Sequence, residues 1–238
     1  MHIMKTLFKI LKWEMIVQLR YNIVTVALIL ALLYIIVLRS LTNMDITQLL
    51  IVLVLSDPVM FGVMFVGVLV LYEKDNNTLN ALLVSPMKPS HYLLSKAISL
   101  TLIATPVALA IAVFGFGIQL NYLYFLISVV LTSVIFVFLG FAVVSNVKGF
   151  NQYVIKFALF TLPVSIPVLE LFNIAHSKLF YLIPTQATIL LLKSGFKLQL
   201  ETWQVVYSIA YLIVWIIISY FVARKAFKHN LLNGKTNE

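Results

Sequence analysis

Six stretches of this chain are apolar over about the 20 residues that a helix needs to cross a bilayer. They cover residues 22–38, 50–72, 97–118, 122–144, 153–172 and 203–223. Because backbone polar groups in hydrocarbon must bond within the chain, runs of this length form helices. The composition, 62% hydrophobic and 11% charged, is far from that of a soluble domain. The sequence therefore predicts an all-α polytopic membrane protein with six transmembrane helices.

The lysines and arginines predict the orientation of these helices. With a cytoplasmic N-terminus, thirteen of the 17 basic residues lie inside, and the other four, Arg39, Lys178, Lys193 and Lys197, lie outside. Cytoplasmic loops of membrane proteins carry this excess of positive charge. We therefore expect a multi-pass protein of the plasma or inner membrane with both termini in the cytoplasm. Since the basic residues flank apolar runs, the net charge of +9 does not indicate a nucleic-acid partner.

Two further segments have membrane character without being predicted to cross. Residues 1–20 place lysines at helical spacing beside an apolar stripe that includes Trp13, which predicts an amphipathic helix at the membrane interface. Residues 172–202 are too long for a turn, and the run after Pro184 is too short to cross. They predict short re-entrant or surface-lying helices on the outer side. We expect one membrane domain over residues 1–238, with the bundle at 22–223 and a basic tail at 224–238.

The polar interval at residues 73–96 predicts a short amphipathic helix after the second span. Asn76, Asn77 and Thr78 offer side-chain oxygens that can cap a helix start. Three leucines then follow at helical spacing and form an apolar face, at positions Leu79, Leu82 and Leu83. A proline ends the helix because it lacks a backbone donor. Such a helix either rests on the membrane surface or docks on another protein.

The run EKDNNTLNALLVSP resembles the segment after the second span of type 2 ABC transporter permeases, the ABC-2 family. With the six spans, the resemblance covers nearly the whole chain. The matching positions are Glu73, Thr78, Leu79, Leu82, Leu83, Ser85, Pro86 and Lys96, and Asn77 stands where many relatives have glycine. The resemblance implies a coupling helix that contacts a separate ABC ATPase subunit. Its predicted coupling residues are Glu73, Thr78, Leu79, Leu82, Leu83, Ser85 and Pro86.

Within that family the chain is most similar to drug-export permeases of the fluoroquinolone-efflux kind. This implies an ATP-driven exporter subunit that pairs with a second permease, as a homodimer or a heterodimer, and moves a hydrophobic or amphipathic compound. A permease for lantibiotic immunity or haem-like export is the first alternative. A non-transporting membrane scaffold or assembly factor is more distant. A secondary transporter usually has repeated halves, and none is visible.

The resemblance also implies that ATP and Mg²⁺ are bound by the partner ATPase, so the chain is expected to bind no cofactor directly. The sequence agrees with this expectation. Residues 234–236, Gly-Lys-Thr, look like the end of a phosphate loop, but His229 stands where the first glycine is required. The four histidines have no ligand spacing, so no metal site is expected. We expect a transport subunit without an ATPase site of its own.

Two carboxylates in apolar surroundings are candidates for the substrate path. Asp57 lies in the second apolar run and Glu170 near the outer end of the fifth. Ionisable groups at membrane depth usually face a bundle interior or a water-filled path. Phe61 and Phe65 could line the same path, or they could face lipid. The alternative for both carboxylates is a position near the outer headgroups, where a charge costs little.

Overall fold

The computed structural model describes residues 2–41, 46–76, 78 and 89–228, and every regular element in these ranges is helical. Within these ranges, five helical stretches are long and apolar enough to cross a membrane. They are Ile23–Ser40, Thr47–Asp75, Pro89–Phe116, Tyr122–Ser145 and Thr202–Ala226. Each overlaps one of the predicted spans. The prediction of an all-α multi-pass membrane protein is confirmed.

The helices follow one another with short connections. Helix α1 is His2–Arg20 and α2 is Ile23–Ser40. The second span, called span 2 below, consists of α3 (Thr47–Met60), a π-helical segment (Phe61–Phe65) and α4 (Val66–Asp75). After it come α5 (Pro89–Phe116), α6 (Tyr122–Ser145), α7 (Phe150–Val164) and α8 (Val168–Leu171). The chain ends with a 3₁₀ turn (Lys178–Leu182), α9 (Pro184–Gly195) and α10 (Thr202–Ala226).

The stretch predicted as the fifth span, residues 153–172, is interrupted. Helix α7 has 15 residues and α8 has 4, and Pro163 and Pro167 lie around the break between them. Proline breaks the helical hydrogen-bond ladder because it has no backbone donor. At 1.5 Å per residue, α7 is about 22 Å long, which is less than the roughly 30 Å of hydrocarbon in a bilayer. A sixth crossing therefore stays a prediction.

Helix α5 begins at Pro89, earlier than the predicted start near residue 97. Proline is favourable in the first turn of a helix because its missing N–H needs no partner there. The helix therefore extends into the polar interval at 73–96. Lys96 lies about two turns inside α5 and is fully buried.

Helix α9 lies inside the bundle between α6 and α10. Its 12 residues are too few to cross, and residues 184–192 are all buried. The hydroxyls of Thr188 and Thr132 are 2.8 Å apart. The backbone N–H of Asn121 donates a hydrogen bond to the carbonyl of Gly195 at 2.8 Å. Of the two predicted arrangements for residues 172–202, the buried position of α9 favours the re-entrant one.

Helix α6 crosses span 2 at close range where two glycines meet. A Cβ on Gly62 would lie 2.8 Å from the Phe136 Cβ, and a Cβ on Gly140 would lie 2.9 Å from the Val63 Cα. Small residues let helix backbones approach in a membrane bundle. The contact fixes the middle of span 2 against the centre of the molecule.

Candidate functional site

The structure describes two of the seven residues predicted to contact an ATPase. Glu73 is in the last turns of α4, and Thr78 is helical and exposed. The other five, Leu79, Leu82, Leu83, Ser85 and Pro86, lie outside the described residues. The coupling helix therefore stays a prediction, and the geometry of the site begins at Glu73.

The Glu73 side chain points into the protein and is 8% exposed. Its Oε1 accepts a hydrogen bond from the Lys96 ammonium at 2.6 Å, and its Oε2 accepts one from the Tyr92 hydroxyl at 2.5 Å. Both donors lie in the first two turns of α5. The carboxylate therefore closes the end of span 2 onto the beginning of the next span.

A second carboxylate reaches the same ammonium from helix α1. The Lys96 Nζ lies 2.7 Å from the Glu14 Oε2, and Glu14 is 5% exposed. The Lys96 side chain has no exposure at all, and its Nζ also lies 5.1 Å from the centre of the Tyr92 ring. One ammonium thus binds α1, α4 and α5 together. We call Glu14, Glu73, Tyr92 and Lys96 the charge cluster.

The charge cluster holds two carboxylates and one ammonium. Burial raises the pKa of the Glu14 carboxyl, the nearby Lys96 ammonium opposes this rise, and the Glu73 charge adds to it. A buried ion pair contributes little net stability, but removing one partner leaves an uncompensated charge and costs about 3–5 kcal/mol. The three helices therefore depend on one another at this point.

Helix α1 binds the bundle with its polar side. Gln18, one turn after Glu14, is fully buried and donates from Nε2 to the Ser99 Oγ of α5 at 2.6 Å. The large apolar residues Trp13 and Leu19 are 65% and 56% exposed. Because the polar groups face the protein, the apolar face is left for lipid, as the predicted interfacial helix requires.

Sequence reasoning missed Glu14 and Gln18. Glu14 is the one acidic residue among the first 44 of the chain, and Gln18 follows it at the i+4 spacing that places both on one helix face. An acidic residue inside a basic, membrane-bound helix was the available signal. Its partner Lys96 was known only as a match to the family pattern.

The carboxylate of Asp57 is buried in the first half of span 2. Asp57 follows Thr47, the first residue of span 2, by ten residues, which is about 15 Å along the helix axis. It is 2% exposed, its Oδ2 has no hydrogen-bond partner among the described groups, and it interacts electrostatically with Tyr34 of α2. Asp57 therefore faces the protein interior, and its position relative to the headgroups stays a prediction.

The other predicted path residues do not join Asp57. Glu170 is half-buried in α8 and accepts a hydrogen bond from the Gln186 Nε2 of α9 at 2.9 Å. Phe65 lies in the π-helical segment beside a groove at the start of α2, and the side chain of Phe61 lies outside the described side chains. Among the described contacts, Glu170 therefore ties α8 to α9, and the predicted path stays a prediction.

Buried charges thus join helix α1 to two long helices of a multi-pass membrane protein. The chain belongs to the fluoroquinolones export permease protein family, whose sequence model matches residues 5–235. It is similar to the fluoroquinolones export permease proteins of two Mycobacterium tuberculosis strains, CDC 1551 / Oshkosh and H37Rv. Each is 31% identical over 164 residues, which cover 67% of this chain and 68% of the relative. The predicted resemblance to ABC-2 drug-export permeases is confirmed.

Replacing Lys96 with methionine tests the charge cluster. We expect Lys96→Met to lower the free energy of unfolding by about 3–5 kcal/mol, because it leaves Glu14 and Glu73 buried without their counter-charge. Lys12→Met, at an exposed position on α1, is the matched control and should change it by less than about 0.5 kcal/mol. The measurement is thermal unfolding of the purified permease in detergent. Equal midpoints for the two variants would contradict a structural role for the buried ammonium.

Proposed function

We propose that this chain is the membrane-spanning subunit of an ATP-driven exporter of hydrophobic or amphipathic, drug-like compounds. Membership of the fluoroquinolones export permease protein family supports the export of such compounds. The identity of 31% with the Mycobacterium tuberculosis relatives, over two thirds of both chains, supports a shared mode of action. A fluoroquinolone is therefore the first substrate to test.

A separate pair of ABC ATPase subunits supplies the energy in this proposal and binds ATP and Mg²⁺. The permease carries out no covalent chemistry and passes on a mechanical force. Two permease subunits, identical or paralogous, enclose the path in the bilayer. Six spans with cytoplasmic termini put residues 73–96 and the basic tail on the same side as the ATPases, in agreement with the distribution of basic residues.

The charge cluster is the observation that supports this mechanism best. The predicted coupling segment runs between Glu73, at the end of span 2, and α5, which carries Lys96. A force that an ATPase exerts on this segment is therefore transmitted to the charge cluster, which joins α1, α4 and α5, and not to a flexible loop. Because Lys96 also binds Glu14, the same force moves α1 relative to the membrane surface. The charge cluster converts a local displacement into a movement of several helices.

Substitution of two leucines in the predicted coupling segment tests whether this segment binds the ATPase. If Leu82 and Leu83 seat in an ATPase cleft, each contributes roughly 1.5–3 kcal/mol through burial. Replacing both with aspartate should release the ATPase, because it removes this burial and puts charges into a dry groove. The measurement is a pull-down of the cognate ATPase at equal membrane levels of permease.

A matched control uses two exposed leucines of the 3₁₀ turn on the predicted outer side. Leu179 and Leu182 are 69% and 65% exposed, and their double aspartate variant should recover the ATPase as the wild type does. Equal recovery with the Leu82 and Leu83 variant would mean that the segment does not hold the partner.

Asp57 is proposed to act in the export path, because a carboxylate buried within an apolar span is costly and is usually kept for function. We expect Asp57→Asn to lower export of a fluorescent fluoroquinolone from cells while leaving ATPase recovery unchanged, since the amide keeps the shape and removes the charge. Glu201→Gln, at an exposed carboxylate just before α10 and away from the predicted coupling segment, is the control. Unchanged export in Asp57→Asn would remove this residue from the path.

A further inference from the structure

Span 2 is not one continuous α-helix. Residues Phe61–Phe65 are π-helical and divide it into α3, on the side of the 41–46 connection, and α4, which carries Glu73. A π-helical turn has wider, weaker hydrogen bonding than an α-turn, and it is a common origin of bends in long helices. The division therefore separates the charge cluster from the half of span 2 that holds Asp57.

The π-helical segment is fixed on one side. Gly62 and Gly140 let the backbones of span 2 and α6 touch, so this contact cannot open without separating two packed helices. On another side, α4 borders a groove of about 190 Å³ at the start of α2, lined by Tyr21, Phe65, Tyr72 and neighbouring apolar residues. The π-helical segment is therefore held against α6. Helix α4, which follows it, has space beside it in the groove.

Tyr153 of helix α7 packs against the π-helical segment. Tyr153 is 1% exposed and is the one buried residue of α7, all of which is described. Its hydroxyl donates a hydrogen bond to the carbonyl of Val63, inside the π-helical segment. Its ring occupies the space beside Gly67, where a Cβ would overlap the ring. The π-helical backbone and the lack of a side chain at Gly67 together leave a space that the Tyr153 ring fills.

We propose that residues 61–65 are a hinge in span 2 and that Tyr153 is the positioning residue that holds it closed. In the closed state, α4 and the charge cluster are aligned with α3. When the Tyr153 hydroxyl leaves the Val63 carbonyl, α4 swings towards the groove beside α2, with the contact of Gly62 and Gly140 as its pivot. The hinge itself is independent of any partner, and its use in export rests on the proposed function.

The absence of cysteine from the chain allows distances across the hinge to be measured with spin labels. One pair, Asp75→Cys and Lys225→Cys, reports on the end of α4 against α10. A reference pair, Gln48→Cys and Lys197→Cys, reports on the other end of the molecule. All four positions are exposed. Labelled permease is diluted with unlabelled permease in nanodiscs without ATPase, so that distances between subunits do not contribute.

Tyr153→Phe is the test variant because it keeps the buried ring and removes only the hydroxyl. The matched control is Tyr211→Phe, which removes a tyrosine hydrogen bond to the carbonyl of Leu182, 2.8 Å long and distant from span 2. We expect Tyr153→Phe to shift or broaden the 75–225 distribution and to leave the 48–197 distribution unchanged. Tyr211→Phe should change neither.

Three results would overturn the hinge. They are an unchanged 75–225 distribution in Tyr153→Phe, equal changes in both label pairs, and the same change in Tyr211→Phe. The second would mean that Tyr153 only stabilises the whole fold. Because no ATPase is present, this measurement fails or succeeds independently of the pull-down that tests the ATPase partner.

Discussion

The burial of the Lys96 ammonium group determines how helices α1, α4 and α5 are joined. Taking a charge out of water costs several kcal/mol, which a membrane protein can bear only with close counter-charges. The counter-charges of Lys96 come from two other helices, at 2.7 Å from Glu14 and 2.6 Å from Glu73. None of the three helices can leave without exposing a charge to an apolar interior. The charged contacts therefore add to the apolar packing of α4 and α5 around them.

This arrangement explains how α1 can belong both to the membrane and to the bundle. Its polar face, with Glu14 and Gln18, binds α5, and its apolar face remains for lipid. A helix that packed against the bundle with its apolar face would have no apolar face left to contact lipid. The middle of span 2 is built differently, with glycines at the contact with α6 and Tyr153 in the π-helical segment. Span 2 thus connects the charge cluster to an irregular, adjustable segment.

The sequence predicted the features that depend on local composition. Apolar length located the stretches that the structure shows as long helices. The charge cluster was beyond such reasoning, because Glu14 and Lys96 are 82 residues apart and nothing local marks them as partners. The π-helical segment and its tyrosine were missed for the same reason, since Val63 and Tyr153 are 90 residues apart. Asp57 was a candidate from the sequence, but its burial in the bundle followed only from the structure.

The most direct test of the central account is a chemical cross-link between α1 and α5. Gln18 lies one turn after Glu14 on α1 and contacts Ser99, which lies three residues after Lys96 on α5. The chain has no cysteine of its own. With both replaced by cysteine, the account predicts a cross-link by a short bifunctional thiol reagent in membranes when Lys96 is present. It predicts loss of most of this cross-link when Lys96→Met is added. Equal cross-linking with and without Lys96 would show that lipid, and not the buried ammonium, positions α1.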